Sequence, residues 1–314
     1  MSLVVIASGV FSTVQDLGRQ HFRSRGVPVG GAFDQASAQL ANALVGNPAR
    51  CAVLEMTYIG GTYEAITPIA LALCGAPMRA TRRSIRGADV VLEPPVSFFM
   101  RADDQLVLGP CPKGARTYLA VRGGWQTPEI LGSRSSETPL KAGDVLPCIE
   151  ATTPRRRLVP PEIQAPFTLR ITDGPDAAMV DSSWVESERT FKVDARSDRM
   201  GVRLDGPRCV VKEDHERLST PVAAGAVQMA GGLPLILGVA CGTMGGYPHV
   251  AQVISADLPK LAQIRPGDPV RFERVSLAEA RRLHTLWRDD LHGQCLAIRA
   301  AVSDGTYDLF HLGE

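Results

Sequence analysis

Two segments far apart in the chain are rich in glycine together with amide, acidic and guanidinium side chains. The first runs from Gly9 to Thr57 and the second from Ser197 to Pro207. Within the first, the run Gln15–Arg19 places an amide, a carboxylate and a guanidinium around one glycine. Such a loop turns tightly while its side chains stay free for planar hydrogen bonding. This chemistry suits a small ligand that carries a carboxylate, an amide or a urea-like group.

Three other polar residues are each consistent with a structural role and with a ligand-binding role. Asp34 precedes an apolar-periodic stretch and caps a helix, although a helix N-terminus also attracts anionic groups. Glu55 lies in the middle of a strand, where it either faces solvent by alternation or is a buried acid with a raised pKa. Arg199 follows Asp198, and such a pair usually forms a weak surface ion pair unless it faces a cleft.

A glycine-rich turn in the second half offers two hydroxyl groups. It runs from Gly242 to Pro248 and contains Thr243 and Tyr247. Because glycines let a ligand approach the backbone closely, both hydroxyls would then lie at the rim of a site. The alternative is a wide β-turn in which Tyr247 covers the end of a barrel.

The elements that must position these residues are mainly β-strands. The chain carries 30 Gly and 23 Pro, which indicates many turns and short strands. Short apolar or alternating runs predict strands such as Leu3–Val10, Ala52–Ile59 and Leu235–Val239. Helices are predicted at 34–46, which ends in a glycine, and from a capping box at residue 276 to about residue 287.

Two domains are predicted, because 314 residues exceed what one core usually serves. The Pro-rich, polar stretch 151–166 is typical of a linker. It separates an N-terminal domain, 1–155, from a C-terminal domain, 156–314. The sequences of 141–146 and 265–270 resemble the same turn at the entry of a strand, which indicates two related domains.

The composition argues against several classes of protein. Lys and Arg number 34 against 33 Asp and Glu, so the chain has no field that would steer a nucleic acid. Seven scattered cysteines without a C-x-x-C pair argue against disulfides or a metal site and favour a reducing cytoplasm. No apolar run reaches about 18 residues, so no membrane span is expected. Without the corresponding motifs, a self-contained NTPase, an α/β-hydrolase and a zincin are disfavoured.

The ordered motifs of the chain resemble one known family across roughly residues 3–285. This is the biotin-dependent carboxyltransferase family, also called allophanate hydrolase subunit 2. It includes the C subunit of 5-oxoprolinase and the carboxyltransferase region of urea carboxylase. The motifs that carry the resemblance are Thr13–Arg19, Gly26–Pro28, Gly31–Asp34, Ala41–Asn42, Gly46–Asn47, Leu54–Glu55, Ser197–Gly201, Gly225–Gln228, Gly245–Pro248 and Arg265–Asp268.

The resemblance implies two cyclophilin-like β-barrel domains with a site near the cleft that they share. It also implies a partner, the subunit-1 or subunit-B protein, and a lactam-binding subunit as a third component. The implied function is a subunit of an enzyme that opens 5-oxoproline to glutamate with ATP, or that processes amides like allophanate hydrolase subunit 2. Carboxyl transfer from carboxybiotin to urea is the alternative. ATP or carboxybiotin would act through the complex, and biotin would come from another polypeptide, because the chain has no A-M-K-M biotin-carrier motif.

The resemblance also suggests roles for individual residues. Arg19 and Arg199 would bind carboxylate oxygens bidentately, and Gln15 and Gln228 would recognise an amide. Asp16 or Glu55 would transfer the proton. The substrate-binding residues of this implied site are Gln15, Arg19, Asp34, Arg199, Gln228, Thr243 and Tyr247.

One departure from the family pattern concerns Ala240. Members commonly carry the run A-D-x-x-T-x-G-G-Y-P, whereas Ala240 stands here in place of the Asp. If that acid transfers a proton or holds a substrate amide, this protein has a different substrate or has lost activity. A non-catalytic protein that regulates the subunit-1-like partner is therefore a second alternative. Prolyl isomerisation follows only from fold analogy.

Overall fold

The computed structural model describes residues 2–159, 162–163, 165, 167–185, 189–212, 218–301 and 306–307. The pattern of contacts divides the chain into two compact units. Unit 1 contains residues 1–18, 34–163 and 290–314, and unit 2 contains residues 19–33 and 164–289. The mainly β fold predicted from the sequence is confirmed.

The strands are numbered in chain order. Those of unit 1 are β1 Ser2–Ala7, β2 Phe11–Gln15, β3 Val53–Thr57, β4 Thr62–Ala65, β5 Ile69–Gly75, β6 Ala80–Arg83, β7 Val90–Leu92, β8 Val96–Met100, β9 Gln105–Leu108, β10 Arg116–Val121, β11 Val145–Pro147 and β12 Arg157–Leu158. Those of unit 2 are β13 Phe167–Asp173, β14 Phe191–Val193, β15 Gly201–Asp205, β16 Thr220–Pro221, β17 Ala226–Ala230, β18 Leu233–Leu237, β19 Met244–Gly245, β20 His249–Val253 and β21 Pro269–Arg274, after which β22 Thr306–Tyr307 returns to unit 1. The α-helices of the described residues are α1 Gln35–Leu44, α2 Leu258–Ala262 and α3 Leu277–Ala300.

The two units differ from the predicted single boundary at 155/156. Residues 19–33 lie in unit 2, whereas residues 156–163 and the end of α3 lie in unit 1. Hydrogen bonds between segments that are far apart in the sequence account for this difference from the predicted boundary. The Gly30 N–H, for example, donates to the Val239 carbonyl at 3.2 Å. The local composition does not indicate such pairings, so the sequence predicts a single domain boundary.

Unit 1 contains two sheets that share a core. Their strand orders are β11-β1-β4-β9-β6-β7 and β2-β3-β10-β5-β8-β12-β22. The core takes residues from both sheets, among them Val5, Leu54, Met56 and Leu71. Strand β5 is buried along its whole length, because this core covers one face and α1 contacts it as well as β3 and β10.

Helix α1 begins and ends as the sequence predicts. Asp34 caps it, since one carboxylate oxygen accepts from the Ser37 N–H at 2.9 Å and the other from the Ser37 hydroxyl at 2.6 Å. After Leu44 the chain turns at Gly46, whose φ of +75° is a conformation that favours glycine.

Unit 2 is a closed barrel with the strand order β13-β20-β17-β18-β15-β14-β21. Parallel pairing of Phe167 with Val270 joins the first and last strands of this order and closes the barrel. Trp184 and Phe191 both contact Phe272, with ring centroids 5.0 and 5.9 Å apart respectively. Strands β16 and β19 form a separate small sheet that contains part of the predicted glycine-rich turn.

The predicted repeat of a strand-entry turn is confirmed in the two units. In each turn an Asp carboxylate accepts from the backbone N–H three residues earlier at 2.8 Å, through Asp144 in unit 1 and Asp268 in unit 2. The glycine before each Asp has a φ near +90°. One turn leads into β11 and the other into β21. The two units therefore use the same local device to start a strand.

Two sequence predictions need correction. Helix α3 continues to Ala300, whereas the pattern predicted an end at about residue 287; the charged run after Trp287 is helical, and Gly293 lies inside the helix without ending it. The strand predictions also missed β2 and β15, which lie in the two polar segments. Among the described residues, no helix has the length and apolar character needed to cross a bilayer.

Candidate functional site

Unit 2 contains a cavity of about 190 Å³, which we call the barrel pocket. Some of the site residues predicted in the second half of the chain lie in its wall or next to it. Its wall combines apolar and polar side chains, so it can surround a small molecule and still recognise a polar group. The residues of this wall used below are Asp198, Met200, Val222, Gln228, Cys241 and Met244.

Gln228 is the buried amide of the barrel pocket. It lies on β17, is 2% exposed, and donates from Nε2 to the Tyr247 carbonyl at 3.0 Å. A side chain at Gly245 would collide with the Gln228 amide, which explains the glycine at this place in the turn. The Tyr247 side chain itself is exposed, and Thr243 is half-buried between Gly242 and Met244 of the pocket wall.

Arg199 lies between two residues of the pocket wall but is buried, 5% exposed. Its Nη2 donates to the Gly31 carbonyl at 2.8 Å. The neighbouring Asp198 carboxylate accepts from the N–H groups of Met200 and Gly201, at 2.8 and 3.1 Å. Arg199 therefore joins residues 19–33 to the barrel, and Asp198 shapes the loop.

The segment 19–33 has two more contacts within unit 2. The Arg19 N–H donates to the Val29 carbonyl at 2.7 Å. The guanidinium of Arg23 donates to the carbonyl of Val222, which lines the barrel pocket. The contacts place Arg19 in unit 2 together with Arg199, whereas Gln15 and Asp16 belong to unit 1.

Cys241 is a thiol of the barrel pocket that the sequence did not single out. Burial raises its pKa, against a smaller lowering by the charge of Arg23. The thiol is therefore protonated at neutral pH and contributes an apolar surface to the wall. The preceding residue, Ala240, is half-buried, and its N–H donates to the Arg199 carbonyl at 3.1 Å.

In unit 1, Asp16 is held by a hydroxyl-rich loop. One carboxylate oxygen accepts from the hydroxyls of Ser133 and Ser135 at 2.6 Å each and from the Gly18 N–H at 2.8 Å. The other accepts from the Arg134 N–H at 2.6 Å. Burial raises the pKa, but these hydrogen bonds outweigh it and hold the pKa below its usual value. A carboxylate that stays ionised and already accepts four hydrogen bonds is suited to holding a loop and poorly suited to the predicted proton transfer.

Replacing Asp16 with Asn should destabilise the protein by about 1–3 kcal/mol. The NH2 group of the amide would face hydroxyl and N–H donors that now donate to a carboxylate oxygen. The control is Asp144→Asn, where an exposed carboxylate accepts from one loop N–H, that of Lys141. Thermal unfolding of both variants measures the difference. Equal effects would show that the Ser133–Ser135 loop does not depend on this carboxylate.

Glu55 belongs to a buried polar chain beneath α1. It is 1% exposed, and one oxygen accepts from the Tyr118 hydroxyl at 2.7 Å. That hydroxyl accepts in turn from the Asp34 N–H at 2.7 Å. The Arg116 guanidinium lies 3.6 Å from the other Glu55 oxygen. Burial, then the charges of Glu55 and Asp34, raise the pKa of Tyr118 well above its usual value. This chain positions the start of α1 over the sheet.

Gln15, on β2, is also buried. Its Nε2 donates to the Thr13 hydroxyl at 2.9 Å and to the Ser136 carbonyl at 2.8 Å. The structure thus brings Arg199, Gln228, Thr243 and Tyr247 together around or beside one pocket. Its contacts give Gln15, Asp16, Asp34 and Glu55 positions inside unit 1. The predicted convergence of both groups on one cleft stays a prediction.

Sequence reasoning missed Tyr118 and the Ser133–Ser135 loop. Tyr118 lies in an apolar strand, and only the pairing of β10 with β3 places it opposite Glu55. The two serines are 117 and 119 residues from Asp16. A hydroxyl-rich loop was visible in the sequence, but nothing linked it to a particular carboxylate.

The fold and the pocket define a mostly β protein with a small cavity in a closed barrel. Residues 25–274 match the family described as carboxyltransferase domain, subdomain A and B. The chain belongs to this family. The resemblance inferred from the motifs is therefore confirmed.

Individual relatives carry two kinds of name. The chain is 35% identical to the 5-oxoprolinase C subunit of Escherichia coli (strain K12) over 301 residues, covering 88% of this chain and 93% of the relative. It is 31% identical to urea amidolyase of Lachancea kluyveri, covering 89% of this chain but 17% of that protein. The crystal structure of the K. lactis urea amidolyase superimposes with a TM-score of 0.83 at 27% identity, covering 93% of this chain and 20% of that one.

Proposed function

We propose that this protein is a subunit of a heteromeric enzyme that opens the cyclic amide 5-oxoproline to glutamate. The observation that carries the proposal is the 35% identity to a 5-oxoprolinase C subunit, which extends over 93% of that relative. The overall reaction consumes two water molecules: one adds to the lactam carbonyl as the C–N bond breaks, and the other accounts for the conversion of ATP to ADP and phosphate. The other subunits are a subunit-1-like protein and a lactam-binding protein.

The barrel pocket supports this proposal by its size. Its volume of about 190 Å³ lies below the range of about 300–1,000 Å³ that is typical of drug-sized ligands. A five-membered lactam is of suitable size, whereas ATP is too large. We therefore place ATP outside the barrel pocket.

Its wall supports the same ligand. The apolar side chains of Met200, Val222 and Met244 suit the methylene edge of a lactam ring. Gln228 provides a buried amide group that would form a hydrogen bond with the lactam amide. A pocket with a few polar residues in a largely apolar wall, here Gln228 with Asp198 and Arg203, orients a small ligand without a large binding energy.

The test uses the full assembly and a matched pair of variants. Gln228→Met keeps the length of the side chain and removes its amide, so glutamate formation should fall about 10–100-fold in kcat/KM, the loss of one substrate hydrogen bond. The control is Gln252→Met on β20, whose amide donates to the Ala224 and Val253 carbonyls and does not line the pocket.

The outcomes separate the candidates. ATP-dependent glutamate formation that is lost in Gln228→Met and retained in Gln252→Met supports the proposal. No turnover of 5-oxoproline by an intact assembly with the native chain contradicts it. An assembly that forms but shows no turnover would favour the alternative of a non-catalytic regulatory protein. Ala240 is consistent with that alternative, since the family commonly has an Asp at this position.

Carboxyl transfer to urea is the second candidate. It is favoured by the superposition on urea amidolyase over 93% of this chain. Biotin would then be supplied by another polypeptide, because this chain has no carrier-lysine motif. Urea-dependent consumption of carboxybiotin by the purified chain distinguishes this activity from lactam opening.

A further inference from the structure

Unit 1 contains a cavity that shares no wall residue with the barrel pocket. Its volume is about 370 Å³, within the range of about 300–1,000 Å³ typical of small-molecule sites. Gly18, Gly123, Gly124 and Gly132 line it, each with a φ between +76° and +84°. We call it the glycine cavity. At Gly124, a side chain would press against Cys51, so the cavity depends on glycine there.

Two arginines line the glycine cavity, Arg50 and Arg134. Arg50 is exposed and, within the described residues, makes no hydrogen bond or ion pair with its side chain. Arg134 is half-buried, donates to the Thr127 carbonyl, and lies 3.8 Å from a carboxylate oxygen of Glu129.

Both positive charges act on the same wall atom, the thiol of Cys51. Burial is the largest influence on this thiol and raises its pKa, while the charges of Arg50 and then Arg134 lower it. Arg50, Cys51 and Arg134 all line this one cavity, so a ligand bound in it lies close to both charges and to the thiol.

The two carboxylates of the cavity, Asp16 and Glu129, balance the formal charge of the two arginines but leave guanidinium donors open. Asp16 accepts from the Ser133 and Ser135 hydroxyls and from two backbone N–H groups, so its oxygens are engaged by neutral donors of its own surroundings. Glu129 is largely exposed, and water screens its pairing with Arg134. The remaining donors of the two guanidinium groups are available to a ligand.

We propose that the glycine cavity binds a small oxyanion, a carboxylate or a phosphate, between Arg50 and Arg134. A guanidinium presents a planar fork of donors that matches both anions bidentately. This site is additional to the barrel pocket and does not rest on the proposed function.

Cys51 provides a direct readout of occupancy, because it lines the cavity and is the one half-buried cysteine, the other six being buried. The full-length protein is treated with iodoacetamide, and alkylation of Cys51 is followed by mass spectrometry. Inorganic phosphate and L-glutamate are the probes, and potassium chloride at matched ionic strength corrects for screening. An anion at about ten times its Kd should slow alkylation about tenfold relative to chloride.

Arg50→Met is the test variant, since an exposed side chain can be replaced without disturbing the fold. Arg86→Met removes the same charge from another exposed position of unit 1. The protection by each anion is compared within a variant, because loss of Arg50 also changes the intrinsic reactivity of the thiol. Protection in the native chain and Arg86→Met that disappears in Arg50→Met supports the site.

Two results would overturn the proposal. One is alkylation that neither anion slows beyond chloride. The other is equal protection in the native chain and in Arg50→Met. Protection by phosphate alone identifies a phosphorylated ligand, and protection by glutamate alone identifies a carboxylate, and each supports the oxyanion site.

Discussion

Replacing Arg156 with Met is expected to lower the free energy of unfolding by roughly 2–5 kcal/mol, because two buried carbonyls lose their donor. The Arg156 side chain is buried, 6% exposed. Its Nη1 donates to the Leu44 carbonyl at 2.8 Å and its Nε to the Ala301 carbonyl at 3.2 Å. These carbonyls lie at the C-terminal ends of α1 and α3, where helices lack internal donors and favour a cation.

The neighbouring Arg155 offers a matched control, since it is exposed in the same basic triplet. Arg155→Met should change stability by less than about 0.5 kcal/mol. Urea unfolding followed by circular dichroism measures both variants. If the two substitutions prove equally mild, the ends of α1 and α3 do not depend on this guanidinium.

Arg156 also illustrates what local sequence cannot reveal about the fold. Apolar periodicity, an N-cap and a terminal glycine were sufficient to predict α1, because all three signals lie within the helix itself. The triplet that contains Arg156 has the same composition as a solvated linker, and it was predicted as one. Its partners lie 112 and 145 residues away, so only the folded chain shows that one of the three cations is buried.

Glu55 shows the same limit for the candidate site. Alternation along β3 predicts that Glu55 faces away from Leu54 and Met56, which belong to the core. Whether that opposite face is wet or covered depends on α1, which contacts β3 and β10. The sequence therefore left two interpretations open, and the packing of α1 decides for burial.

The barrel pocket was predictable in part for a related reason. Gln228 and the glycine-rich turn belong to motifs that resemble a family, so their types and order indicated a site. The position of Arg199 was not predictable from its neighbour Asp198. The pair suggests a surface ion pair, yet Arg199 donates to Gly31, 168 residues away. The Gly31 carbonyl is within reach of Arg199 only because residues 19–33 pack against the barrel.

Asp257→Asn is the second substitution for which we expect a large loss of stability. The Asp257 carboxylate is fully buried and accepts from the Arg170 N–H, Nε and Nη2 at 2.6–2.9 Å. Lys260 Nζ lies 3.0 Å away. The loss should be about 2–4 kcal/mol, somewhat less than for a fully buried pair, because Arg170 and Lys260 keep partial access to water. Asp289→Asn, which removes an exposed partner of Arg288, should cost less than about 1 kcal/mol.

The effect of Asp257 should depend on pH in a defined direction. Burial raises the pKa of this carboxyl, but the hydrogen bonds from Arg170 and Lys260 outweigh burial and hold the pKa below its ordinary value of 3.8. A group with a lowered pKa in the folded state stabilises the protein fully above its unfolded pKa and loses that contribution as pH falls through the folded pKa. The difference between native protein and Asp257→Asn in urea unfolding should therefore be constant from pH 5 to pH 8, on the order of several RT, and shrink below about pH 4. A difference that grows as the pH falls would mean that the charged carboxylate opposes folding, which the three hydrogen bonds from Arg170 argue against.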